Sequence, residues 1–408
     1  MKLFINIFIL FNLFFLLSCK DQVDWISYRG KQGSGYTPNA VYPPLGFRWK
    51  LTLQKERQET RAFNPPVVIG EVIYFGSPDG NFYALNSDSG YMKWIFSTKG
   101  AVNSVPYADD KHVYFGSNDG KIYTVNRETG KEVWSYYTGN TVQSLVMRYE
   151  DNLIFTSDTG ATFFMNPDNG KLNHRIPNPV WSHHTFQVFD GIVYWAPQGR
   201  SFGAFEIKTK KFLWFVDVNI PYPVWYSFPA LDEDKVYYAA SFYTGGPVEL
   251  HYYALDRKSG KMAWQYEDEM DLGSKTPINR QTLFLRHVDL LDYMAPGLWK
   301  DSVIYSSGDT KIRAFHKNTG KLIWRVNYDY PTSSAITIAG DRIYVGLHGD
   351  ETGMRNDPPL LLCLSAKDGS ELWRLELEGA ILSAPVISGK RIFFGTDKNV
   401  FYVLEEIF

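Results

Sequence analysis

Asn126-Arg127-Glu128-Thr129-Gly130-Lys131-Glu132-Val133-Trp134 is the stretch that decides the fold. A polar turn ends on a glycine, and four positions later a tryptophan sits in the strand that follows. The same pairing of slots recurs at Gly90/Trp94, Gly130/Trp134, Gly170/His174, Lys210/Trp214, Gly260/Trp264, Gly320/Trp324 and Gly369/Trp373. Two pairs, Gly170/His174 and Lys210/Trp214, have lost one partner each. Successive aromatic slots lie 40, 40, 40, 50, 60 and 49 residues apart. A period near 40 with one aromatic per unit is what a β-propeller writes into its sequence, one four-stranded blade per repeat.

Residues 102–138 spell out one unit. Val102-Asn103-Ser104-Val105-Pro106 is the inner strand, and Ala108 to Lys111 turn it. His112 to Gly116 form the second strand, ended by Asn118-Asp119-Gly120, where Asp-Gly suits a tight hairpin. Lys121 to Val125 form the third strand and Glu132 to Tyr137 the fourth. Strands this rich in Val, Ile, Tyr and Phe, bounded by Gly, Asn and Asp, do not read as helices.

The last unit runs through Arg391–Gly395 and Val400–Leu404 and reaches Phe408 before a fourth strand can form. Phe47-Arg48-Trp49-Lys50-Leu51-Thr52 has the fourth-strand pattern with no first three strands before it. The N-terminal strand is therefore expected to complete the C-terminal blade and remove the last open edges. Fourth strands at Trp49, Trp94, Trp134, His174, Trp214, Trp264, Trp324 and Trp373 give an all-β propeller of eight antiparallel blades over residues 41–408.

Charge is close to balanced, with a formal net value of −2, which leaves no electrostatic footprint for nucleic acid. Residues 1–18 read as a secretory signal: Lys2 supplies a basic start and Leu3 to Leu17 are apolar apart from Asn6 and Asn12. Leu16-Leu17-Ser18-Cys19 resembles a bacterial lipobox, so Cys19 is the expected lipidation site and the protein is expected to be anchored in the envelope. Residues 19–40, with Gly30, Gly33, Gly35 and Pro38, read as a tether that lets the propeller stand off the membrane. The other cysteine, Cys363, lies among Leu361, Leu362 and Leu364 and reads as a small buried hydrophobe.

The units at 126–134, 256–264 and 316–324 resemble the pyrroloquinoline-quinone (PQQ) type propeller repeat, and Ser104-Val105-Pro106, Ser227-Phe228-Pro229 and Ser383-Ala384-Pro385 match its inner-strand motif. The resemblance spans about residues 41–408 and implies that the repeat tryptophans are structural, docking against neighbouring blades. One branch of that family comprises quinoprotein dehydrogenases, in which the resemblance implies a quinone clamped by adjacent cysteines and a calcium ion. This chain has no adjacent cysteine pair, so no cofactor is expected. A second branch comprises lipid-anchored periplasmic propellers of the outer-membrane β-barrel assembly (Bam) machinery. It implies a monomeric propeller, outer-membrane localisation, and envelope protein partners that include a β-barrel assembly complex. The acidic, Leu/Arg-containing loop segment of that branch has Arg286–Asp292 as its nearest equivalent here.

Antiparallel topology sends the second-to-third loops and the links between blades to one face, and the other two turn types to the opposite face. Residues 241–250, 266–296 and 347–359 carry the excess length, all assigned to the first face. Elaborated loops on a rigid scaffold are where function concentrates. The links Pro179–His184 and Pro221–Tyr226, with the long insertion, supply aromatic and apolar mass there. Trp181, His183, Tyr222, Trp225, Tyr226, Leu290, Tyr293 and Met294 are the expected partner-binding residues, with Trp299 placed on the same insertion. His183 and His184 are adjacent and point opposite ways in an extended segment, so no metal site is expected from them. Glu267-Asp268-Glu269 with Asp271 reads as a solvated acidic loop. No G-x-S-x-G, H-E-x-x-H or P-loop pattern is present. The expectation is a non-catalytic scaffold. The alternatives are a small-molecule or glycan binder using the aromatic loops, and a quinone-dependent dehydrogenase.

Overall fold

Eight sheets surround a central axis, each built on four antiparallel strands, and those of blades 5 and 7 carry a fifth. The computed structural model describes residues 24–30, 33–52, 64–177, 186–195, 201–217, 223–226, 228–243, 248–271, 273, 295–350 and 355–407. Blades 1 to 7 span 67–97, 107–137, 147–177, 186–217, 223–269, 297–327 and 337–376. Blade 8 is built from Val386–Ser388, Arg391–Gly395 and Val400–Glu406. Its fourth strand is Leu45–Thr52, antiparallel to Val400–Glu406, with Leu45 opposite Glu406 and Thr52 opposite Val400. The ring is closed by joining head to tail, as the repeat count requires.

Burial follows from this stacking. The second and third strands lie between two neighbouring blades and are apolar on both faces, so Val113–Phe115 and Ile122–Val125 are buried throughout. Fourth strands are half wetted and alternate, as in Glu371–Glu376. Aromatic rings carry the contact from blade to blade: Phe82 stacks on Phe115 at 4.0 Å and Phe75 on Phe401 at 4.8 Å, each pair within 7° of parallel.

The recurrent Gly/Trp pair links neighbouring blades rather than slots within one blade. The Trp94 indole donates from Nε1 to the Arg127 carbonyl of blade 2 at 2.9 Å. Its ring lies flat over Gly130, whose φ is +68°; a Cβ there would sit 2.6 Å from the indole. Only glycine satisfies both the left-handed backbone and the close approach. The same lock joins Trp49 to Gly90, Trp134 to Gly170, Trp214 to Gly260, Trp264 to Gly320 and Trp324 to Gly369. In each case the indole N–H also donates to a carbonyl of that turn.

The serine of the inner-strand motif has an equally local cause. Ser104 Oγ accepts from the Gly116 amide at 2.7 Å and donates to the Gly116 carbonyl at 3.0 Å. Ser144 does the same with Thr156. The hydroxyl serves the second strand where the first has not yet come into ladder register.

The N-terminal segment differs from the expected tether. From Asp24 onward the described residues are docked into the mouth of the ring on the face of the first-to-second and third-to-fourth turns. Trp25 exchanges two backbone hydrogen bonds with Val68 of blade 1, and Ile26 accepts from Ala108 of blade 2. Tyr28, 1% exposed, packs on Phe228 at 4.3 Å within the axial core that includes Leu145, Phe186, Ala295, Ala335 and Ala384. Arg29, also 1% exposed, donates to the carbonyls of Pro296 and Ile336. Tyr36–Thr37 then pairs parallel with Ile338 and Ala339, adding a fifth strand inside blade 7. Burial of Trp25 and Tyr28, with the backbone hydrogen bonds to Val68, Ala108 and Ile338, offsets part of the entropy cost of ordering this stretch. Any free tether is left to residues 19–23, which with the signal and Cys19 lie outside the described residues.

Candidate functional site

Blade 5 stands taller than its neighbours on the elaborated face. Residues 241–250, expected as a lengthened loop, are mostly strand: Lys235–Tyr243 pairs residue for residue with Val248–Asp256, from Lys235/Asp256 to Tyr243/Val248. The outer strand lengthens with them, Met262–Glu269. Both strands are rich in Val, Tyr, Phe, Leu and Ala and hold no glycine or proline, which is why the extra length extends the ladder instead of forming an irregular loop.

That extension also captures a segment expected as an inter-blade link. Pro223–Tyr226 is a strand paired with the upper half of Lys235–Tyr243, Trp225 opposite Ser241 and Tyr226 opposite Ala240. Ala230–Leu231 pairs with the lower half of the same strand. Trp225 and Tyr226 are thus on the inner edge of the tall sheet, not in a loop. Trp181, His183, Tyr222, Leu290, Tyr293 and Met294 lie outside the described residues, as do Arg286–Asp292. Trp299, expected on the insertion, is on the opposite face: it ends the first strand of blade 6 and its indole donates to the Gly340 carbonyl at 2.9 Å.

A buried charge cluster braces the tall blade to blade 6, and the sequence reading missed it. Arg313 on the third strand of blade 6 is fully buried. It makes a two-pronged contact with Asp309, Nη1 to Oδ1 at 3.0 Å and Nη2 to Oδ2 at 2.7 Å, while Nε donates to Asp268 Oδ2 at 2.9 Å. Asp309 is itself fully buried. Asp268, expected in a solvated loop, is instead near the end of the outer strand of blade 5, its side chain 18% exposed, with Lys311 and Arg325 each 3.9 Å away. Burial pushes the Asp268 pKa up, but the charge and hydrogen bond of Arg313, with Lys311, hold it below the ordinary carboxylate value. Burial likewise opposes the charge on Arg313, yet Tyr252, Asp309 and Asp268 together raise its pKa. The signal available in sequence was a lone arginine in the otherwise apolar run Ile312–Phe315.

Around the brace, this face is acidic. Glu249 and Glu267 are exposed and flank the buried His251 at 3.2 and 3.7 Å. The loop after Leu347 folds back on the link between blades 6 and 7: Asp350 donates its amide to the Asp357 carbonyl, and Tyr330 donates to the Asp357 carboxylate at 2.7 Å. The arrangement is a polar platform. Among the described residues no group of three or more His, Cys, Asp or Glu side chains is placed to hold a metal ion. The clamp of a quinone also does not fit: Cys363 is buried between Leu362 and Leu364, and burial pushes its thiol up to about 11.

The opposite face carries one large recess, about 980 Å³, between the docked N-terminal segment and the turns of blades 5 to 7. Trp25, Tyr36, Leu298 and Trp299 form its apolar wall, and Asp232, Lys300, Lys317 and Asp341 its charged rim. Burial lowers the pKa of Lys317, an effect that Asp232 at 3.9 Å partly offsets.

Comparison with known proteins places this architecture. A family model described as outer membrane protein assembly factor BamB matches residues 47–179 and 308–406. The outer membrane protein assembly factor BamB of Yersinia pestis is 24% identical over 129 residues, covering 29% of this chain and 30% of that protein. The quinohemoprotein alcohol dehydrogenase ADH-IIG of Pseudomonas putida is 26% identical over 140 residues, 33% of this chain and 18% of that one. The chain thus spans less than a third of the length of each of these relatives. Among solved structures, BamB from Moraxella catarrhalis superposes with a TM-score of 0.63 at 16% identity, covering 89% of this chain and 98% of that one. A europium-containing methanol dehydrogenase superposes with a TM-score of 0.67 at 12% identity, covering 95% and 98%. At such identities the superpositions speak for the fold alone.

Proposed function

This chain belongs to the family described as outer membrane protein assembly factor BamB, and on that premise we propose that it is a non-catalytic, lipid-anchored scaffold of the bacterial envelope that docks protein partners in outer-membrane protein assembly. The observation that carries this reading is the tall, braced blade 5. Structural elaboration is concentrated on one face, and it is spent on lengthening a sheet and fixing it to blade 6 through Arg313, Asp309 and Asp268. A rigid projecting sheet beside aromatic segments suits recognition of a protein surface. The acidic residues of its rim favour a partner whose facing surface is basic.

The test is to replace residues 273–294 with a short turn and measure capture of envelope partners after crosslinking in cells. Loss of the partner with an unchanged melting transition supports docking on this face. Undiminished capture refutes it.

Dehydrogenase relatives match at comparable distance, so a quinone-dependent enzyme is the second reading. It requires an absorbance change on adding PQQ with calcium and reduction of a dye by an alcohol. The lack of an adjacent cysteine pair, and an axis occupied by Tyr28 against Phe228, both weigh against it.

A further inference from the structure

We propose that the turn face, opposite the elaborated one, is the face that lies against the membrane. This rests on the lipid-anchor reading above and on where the described chain begins. Asp24 accepts a hydrogen bond from the Gly70 amide, in the first-to-second turn of blade 1, so the chain leaves the propeller on the turn face. Asp24 is five residue steps from Cys19, and a fully extended chain of that length spans at most about 18 Å. An anchor so short cannot reach around a blade, because six-residue strands hold the two faces about 20 Å apart. The docked segment 24–40 is what shortens it: as a free chain, the same residues would have permitted any orientation.

An independent feature of the same face fits an anionic lipid surface. The residue that follows the third-to-fourth turn is Lys131, Lys171, Lys211, Lys261 and Lys321 on blades 2 to 6, and every one is exposed. On blade 1, where the chain leaves, the same position is Tyr91, 78% exposed, followed by the exposed Met92. The same outer turns also carry acidic residues, Asp88, Glu128, Asp168, Asp256 and Asp368, but basic residues outnumber them there, with Arg127, Lys208, Lys210, Arg257, Lys258, Lys317 and Lys367 beside the five lysines. The lysines therefore form a peripheral arc, with an aromatic and a thioether side chain beside the anchor, a pairing suited to headgroups and the interface beneath them.

The experiment is energy transfer to an acceptor lipid from the acylated full chain in phosphatidylethanolamine/phosphatidylglycerol vesicles. Because Cys363 is buried, one added cysteine carries the donor: Thr129→Cys on the turn face or Lys99→Cys on the elaborated face. Strong transfer from position 129 and weak transfer from 99 is the expected result. Equal transfer, or the reverse order, overturns the proposal. Glutamate at Lys131, Lys171 and Lys261 together is expected to reduce partition of the Cys19→Ser protein onto these vesicles at low salt by at least about tenfold, since each lysine near an anionic surface contributes about fivefold. Unchanged partition removes the lysine arc from the proposal's support and counts against it. Mass spectrometry of the N-terminal peptide tests acylation separately. If Cys19 is unmodified, the lipid-anchor reading fails by itself, and a hexahistidine tag replacing residues 1–18, bound to nickel-chelating lipid, still decides the orientation by the same transfer measurement.

Discussion

His174 and Lys210 face one another across the seam between blades 3 and 4, each in a slot of the lock that other seams fill with tryptophan and glycine. His174 packs between Phe164 and Phe205 at 5.9 and 6.4 Å, and Lys210 takes a φ of +56°. Burial first, and then the charge of Lys210, lowers the pKa of His174. The two departures in the repeat, read separately along the chain, are the two halves of one interface. Losing the tryptophan removes the reason for the glycine, because no ring then lies where a Cβ would go.

Restoring both halves should therefore stabilise the ring. His174→Trp with Lys210→Gly is expected to gain about 1 kcal/mol or more, from added buried area and relief of a left-handed lysine. His174→Trp alone should gain nothing or lose stability, because the indole meets the Lys210 side chain. Urea unfolding of the two singles and the double gives the coupling energy. Additive effects would show that the two slots do not touch.

The brace beneath blade 5 gives an asymmetric prediction. Arg313→Met leaves Asp309 buried without its counter-charge and is expected to cost about 3–5 kcal/mol. Adding Asp309→Leu should recover a good part of that loss, since removing both charges abolishes the desolvation problem. A double variant no better than the single would refute the ion-pair account.

Acid stability follows from two carboxylates. Burial raises the pKa of Asp109, but the Lys111 and His112 amides, the Tyr114 hydroxyl and Arg148 outweigh it, so the net shift is downward, as for Asp268. A carboxylate whose folded pKa is depressed contributes stability above its unfolded value, near 4, and loses it as pH falls through the folded one. Melting temperature should thus be insensitive to these groups from pH 5 to 7 and fall below about pH 4. Asp109→Asn and Asp268→Asn should each lower stability at pH 7 and shallow the acid limb. A limb of unchanged slope in both variants would assign it elsewhere.

Cys363 offers a probe of the blade 7 core. With its thiol buried and pushed up to about 11, it should not react with a disulfide reagent at neutral pH while the protein is folded. Reaction is expected to appear with denaturant in parallel with global unfolding. Fast labelling of native protein would contradict the packing of this strand.

Much of the fold was legible in sequence because its causes are local. Asp119-Gly120 ends a strand by turn chemistry, alternating Val, Ile and Tyr runs demand a sheet, and Gly130 with Trp134 marks the period. The tall sheet of blade 5 was harder to read. Val248–Leu250 is as compatible with a loop as with a strand until Phe242 and Tyr243 are placed opposite, and Pro223 disguises the short strand that follows it. Asp268 looked solvated because three acidic residues stand in a row; its partner Arg313 is 45 residues away.

The chain by itself determined the eight repeats, the closing role of Leu45–Thr52 and the glycine–tryptophan spacing, since each is a matter of period and turn conformation within a few residues. Only the tertiary structure decided that six of the repeat tryptophans lock the next blade, that Arg313 pins blade 5, and that the described residues between 24 and 40 dock in the mouth of the ring. Those depend on which surfaces come together once the ring is closed. Segments such as Tyr28-Arg29-Gly30 bear no mark of where an unfilled apolar mouth will be waiting for them.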